Sequence, residues 1–129
     1  MQGFQYFYPG QVVTLSSGGQ RMTVKPTVDD SDDVCCAWFN LELGGEPVEW
    51  AFQSNVLRLE ENQEPHGYAP TRFEPGQVVQ LRSSGPSMTV LSVQRANGMS
   101  HVSCIWFDKG NRNPLSVSFP SETLIAVPV

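Results

Sequence analysis

Three cysteines and two histidines are the residues of this chain most able to do chemistry, and their spacing argues against it. Cys36 and Cys104 hold matched places in two copies of one strand pattern, with Trp38 and Trp106 two residues on. A nucleophilic thiol needs a base beside it and an electropositive setting. His101 lies three residues before Cys104, which puts the two on opposite faces of a strand. The first copy has no histidine at the matching place, and His66 falls in a polar connecting stretch. Zinc takes about four ligands, usually in close pairs such as Cys-x-x-Cys, and Cys35, Cys36 and Cys104 do not supply them. The cysteines read as small buried hydrophobes, and Met22 and Met88 as core fillers. Asp29, Asp30, Asp32 and Asp33 crowd one loop, but without the glycine and distal glutamate of a calcium loop. Asp108 aligns with Asn40, and Glu42, Glu46 and Glu49 have no clear counterparts, so no carboxylate pair is repeated for acid–base work. Ser17-Gly18-Gly19 joins two strands and does not precede a helix, so it is no phosphate cradle. The expectation is a non-enzymatic chain with no catalytic residue, no metal and no cofactor.

Aromatic and arginine side chains remain. Alternation along Val34–Phe39 puts Val34, Cys36 and Trp38 on one face and Cys35, Ala37 and Phe39 on the other. With the first set inward, Phe39 and its counterpart Phe107 face outward. Trp50 aligns with Val117 and is particular to the first copy. Small barrels bind peptides or bases through such rings. The candidate binding residues are Phe39, Trp50 and Phe107, with Arg21, Arg82 and Arg112 at loop ends. The competing reading makes the same aromatics an interface between two barrels. The reverse facing would instead expose Trp38 and Trp106.

The elements that must position these residues come from a duplication. The stretch Phe7–Val24 returns as Phe73–Val90, identical at 12 of 18 positions. In each copy Pro-Gly opens the stretch, a Gln-Val-Val strand follows, and a Gly-bearing turn leads to Met-Thr-Val. The Cys-x-Trp-Phe strand then matches at a shift of 68, and Pro47–Phe52 matches Pro114–Phe119 at 67. The shift changes only in loops, as insertions do. The predicted strands of the first copy are Gln11–Leu15, Met22–Val24, Val34–Phe39, Val48–Phe52 and Val56–Leu59. This predicts a first barrel repeat over 1–60, a linker over 61–72 and a second repeat over 73–129. The fold class is all-β: two tandem SH3-like small β-barrels packed against each other. So short a module buries only about 60% of its surface, which is why packing of the pair is expected.

Ten prolines and eleven glycines favour turns over long helices. No apolar run approaches a membrane span, and the start of the chain lacks a secretory signal. An odd count of cysteines then suits free thiols in the cytoplasm. Residues 1–60 carry three basic side chains against eight acidic ones, a net of −5, while residues 73–129 carry +1. No lysine- or arginine-rich face is present, which disfavours binding to a phosphate backbone.

The run Pro-Gly-Gln-Val-Val-x-Leu-x-Ser-x-Gly-x-x-Met-Thr-Val, then Val-x-Cys-x-Trp-Phe, then a closing Phe and Leu, resembles the YodC-like family of small bacterial proteins. Ser84–Val90 and Cys104–Asp108 fit that pattern closely. The first copy departs from it at Gln20, where the family tends to have Pro, and at Asn40, where it tends to have Asp. The resemblance implies a bacterial or phage cytosolic protein with this fold and implies no chemistry. A more general likeness runs to KOW- and Tudor-type barrels. The functional expectation is an interaction module for a protein or peptide partner, self-association included. The alternatives are a nucleic-acid-binding barrel pair, and a small-ligand protein with its site between the barrels.

Overall fold

A computed structural model describes residues 6–26, 32–39, 46–107 and 113–128. The described residues form two five-stranded antiparallel sheets. The first holds β1 (Val12–Leu15), β2 (Met22–Val24), β3 (Asp33–Phe39), β4 (Pro47–Gln53) and β5 (Leu57–Leu59). The second holds β6 (Val78–Leu81), β7 (Met88–Ala96), β8 (Met99–Phe107), β9 (Pro114–Pro120) and β10 (Leu124–Ala126). The strand orders, β4-β3-β2-β1-β5 and β9-β8-β7-β6-β10, are the same path. In each sheet a single 3₁₀ turn, Ser54–Val56 or Ser121–Thr123, swings the chain from the far edge back to pair with the first strand. Each sheet is thus barrel-like without being closed.

The registers repeat as the sequence does. Val12 faces Thr23 as Val78 faces Thr89, and Cys36 faces Trp50 as Cys104 faces Val117. The first hairpin needs left-handed backbone at its turn, met by Gly18 (φ +93°) and Gly19 (φ +107°). In the second sheet Ser84 (φ +90°) and Gly85 (φ +142°) stand there. β7 and β8 are longer than β2 and β3 and end in an Asn97-Gly98 turn with both φ positive, the signature of a tight hairpin. A bulge between Val90 and Ser92 leaves Leu91 unmatched and 54% exposed.

The two cores differ. Val13, Met22, Val24, Val34, Cys36 and Leu57 fill the first, with Trp38 and Phe52 only half-buried against it. The second is larger and contains Val79, Leu81, Met88, Val102, Cys104, Trp106, Phe119 and Leu124. It also contains Phe39, contributed by the first sheet.

Residues 61–72 do not hang free between the sheets. Gln11 Nε2 donates to Glu64 O (2.7 Å), and the Val12 N–H donates to Gln63 Oε1 (3.0 Å). The Tyr68 N–H donates to Pro9 O at 3.0 Å. These bonds bury Gln11, whereas its counterpart Gln77 is exposed. Among the described residues no helix is long and apolar enough to cross a membrane.

Candidate interaction surface

The expected facing holds in both sheets: Cys36, Cys104, Val34, Val102 and Trp106 are buried on the inner faces. Phe39 does lie on the outer face of β3, but it is not available to a ligand. It is 3% exposed because the second sheet covers it. Its ring stands edge-on to Trp106 (centroids 5.6 Å, 90°) and tilted on Phe119 (6.1 Å). It also lies flush on Gly85, where a Cβ would come within 2.6 Å of Phe39 Cδ2. The expectation of an exposed binding ring at Phe39 is therefore corrected. A ring this apolar at the end of a strand is buried wherever a second surface can reach it.

A polar seam runs beside Phe39. Thr23 Oγ1 donates to Ser83 Oγ at 2.7 Å and accepts from the Ser83 N–H at 2.9 Å. Thr23 and Ser83 are both buried, so each satisfies the other where water cannot. Arg21 donates to Glu60 through Nε (2.6 Å) and Nη2 (2.8 Å), and reaches the turn of the second sheet through Nη1 to Ser84 Oγ (3.0 Å). The hydrogen bond to Glu60 raises the guanidinium pKa. Arg82 lies over the Tyr68 ring at 3.7 Å and donates to Glu122 O at 2.9 Å, so it ties residues 61–72 to the second sheet. Both arginines are engaged in holding the halves together. Arg112 falls outside the described residues.

Trp50 and Phe107 are exposed, at 63% and 69%. They do not form one patch. Trp50 pairs with inward-facing Cys36, so it belongs to the inner face of the first sheet at its edge strand. Phe107 belongs to the outer face of the second sheet, with Thr89, Leu91 and Ile105. Leu91 was invisible to strand alternation because the bulge is a property of pairing. Thr23 and Ser83 were missed as well. Their repetition in the other copy, as Thr89 and Ser17, was the available signal.

The thiols are unsuited to nucleophilic work. Burial pushes Cys104 up to about 12, and burial with the neighbouring Cys35 pushes Cys36 up to about 12. Cys35, half-buried, is raised chiefly by burial, with Lys25 opposing. No group of three potential metal ligands occurs among the described residues. Asp29 and Asp30 of the acidic loop fall outside those residues, and Asp32 and Asp33 are exposed. A cleft of about 380 Å³ opens between the end of the linker and the β7–β8 hairpin, lined by Pro70, Arg72, Arg95, Met99 and Ser100 among others. It carries two arginines but no aromatic ring and does not lie between the two sheets.

No curated protein and no solved structure matches the chain. A family of uncharacterised small proteins, DUF2158, matches it twice, over residues 9–50 and 74–124. Each match falls within one copy of the repeat, so the chain belongs to DUF2158 as a tandem pair of its small domain.

Proposed function

We propose that this protein is a non-enzymatic interaction module that holds a protein partner on the outer face of its second sheet. One observation carries the reading. Equivalent residues on the two outer faces differ sharply in exposure, Phe39 at 3% and Phe107 at 69%. The first face is already occupied, by the second sheet. The second has the same chemistry, a terminal ring with a β-branched or small residue two places before it and a threonine on the neighbouring strand, and among the described residues nothing covers it. An exposed terminal ring with Leu91 and Ile105 on the same face, rimmed by hydroxyls such as Ser103 and Ser118, suits a protein surface.

The strand order and the 3₁₀ turn before the last strand support an SH3-like barrel, in line with the YodC-like resemblance. Three free thiols suit a reducing compartment such as the cytoplasm. Nucleic acid is the poorer reading, since Arg21 and Arg82 are spent on internal contacts.

The test is purification of the wild-type chain and of the variants Phe107→Asp and Leu91→Asp from the native host, with native mass spectrometry of the products. A stoichiometric protein partner, lost from both variants, is expected. Equal recovery of partners by all three chains would overturn the assignment of this face.

A further inference from the structure

The contact between the two halves is a knob in a socket, and the chain carries a second copy of each part, unused. The knob is Phe39, flanked by Thr23. The socket is Gly85 with the inner-face rings Trp106 and Phe119, and Ser83 at its rim. The equivalents of the knob on the second sheet are Phe107 and Thr89, both exposed. The equivalents of the socket on the first sheet are Gly19, Trp38, Phe52 and Ser17. Among the described residues that socket is open. A Cβ at Gly19 would meet nothing within 4 Å, whereas one at Gly85 strikes Phe39. Trp38 and Phe52 lie together, centroids 6.3 Å apart, and are half-buried, whereas Trp106 and Phe119 are at 5% and 3% exposure under Phe39.

We infer that the partner of the second outer face is a second copy of this chain: Phe107 of one chain seats on Gly19 between Trp38 and Phe52 of the next, with Thr89 bonded to Ser17. The inference rests on the reading of that face as a docking surface and supplies its occupant. It continues an interface the chain already makes, with the same residue types at the ring, the hydroxyl pair and the glycine. Trp50, on the same face of β4 as Phe52, extends the apolar rim of the socket toward the arriving sheet. Knob and socket lie on different halves, so the contact is heterologous, and chains add head to tail into a closed ring or an open row.

The repeated contact is weaker than the internal one, for two reasons. The Arg21–Glu60 pair that grips Ser84 has no equivalent, because Ser87 and Val127 stand in those places. It also lacks the covalent tether, which supplies a local concentration on the order of millimolar. Association is therefore reversible and grows across the micromolar to millimolar range.

Sedimentation velocity and native mass spectrometry on purified protein test this. Phe107→Asp removes the knob and Ser17→Arg blocks the socket rim; both residues are exposed, so both variants keep the wild-type melting temperature. The wild type is expected to form dimers and larger species as concentration rises. Each variant alone should associate on the order of tenfold more weakly or worse. Mixed one to one, the two variants should form a heterodimer and nothing larger, since the mixture has one good knob and one good socket. A wild type that stays monomeric at millimolar concentration overturns the inference, and leaves the host purification above to judge the broader reading separately. Association of either variant at wild-type strength, or a mixture that fails to pair, overturns it as well.

Discussion

Phe39 and Phe107 are the same residue at the same place in two copies, and what separates them is the surface that reaches one and not the other. Phe39 fills space inside the core of the second sheet and makes ring contacts to Trp106 and Phe119. Replacing it removes the ring and leaves a cavity at the junction. Phe39→Ala is expected to cost about 3–5 kcal/mol of stability, and Phe107→Ala less than about 0.5 kcal/mol in the monomer. Denaturant melts of both variants at low concentration check this; equal effects would mean that Phe39 is not the anchor of the junction. The neighbouring Thr23 and Ser83 contribute differently. Their mutual bonds matter less for the energy gained than for the buried polar atoms that would be orphaned by losing one partner.

At the scale of the element, the β1–β2 and β6–β7 turns are built alike and work differently. Both require left-handed backbone. Within a single chain the turn of the first sheet only reverses direction, since no described residue packs on Gly18 or Gly19. In the second it is the seat of Phe39, and Ser84 holds a positive φ under the grip of Arg21. A methyl group separates the two roles. Gly19→Ala and Gly85→Ala both incur backbone strain, of about 1–2 kcal/mol, but only Gly85→Ala also drives a Cβ into the Phe39 ring at 2.6 Å. Gly85→Ala is therefore expected to be the more damaging by about 1–3 kcal/mol, as read from paired thermal melts. Equal losses would show that the turn, not the contact, sets the cost.

At the scale of the whole molecule, the two halves are unequal partners. The first sheet has its own core, sealed along Gln11 and Val12 by residues 61–72. The second borrows Phe39. Arg82 and Tyr68 join the strap to the second sheet, and Gly10 packs within reach of both Tyr68 and Glu122. So many ties across the junction are expected to make the chain one cooperative unit. A fragment of residues 73–129, produced alone, is expected to lack the near-ultraviolet dichroism of fixed aromatic packing, because Trp106 and Phe119 lose the ring that covers them. The full chain should unfold in a single transition. A fragment with native-like dichroism and its own sharp melt would contradict the shared core.

Much of the strand pattern could be read from the residues because it depends on local chemistry: alternation around Cys36 and Cys104, glycine at the turns, and a duplication that made each half check the other. The ends of elements were less legible. The 3₁₀ turns at Ser54–Val56 and Ser121–Thr123 and the bulge at Leu91 arise from closing a sheet, which no short window of sequence encodes. The candidate site divides the same way. That Phe39 and Phe107 leave the inner face follows from a period of two, which the chain's own covalent geometry imposes. That one of them is then buried and the other left exposed follows from which pair of surfaces meets. Two copies of one sequence carry the same knob and the same socket, so composition and spacing are symmetric between them. Only the tertiary arrangement, in which one tether allows one such contact within a chain, decided which knob is filled and which is left free.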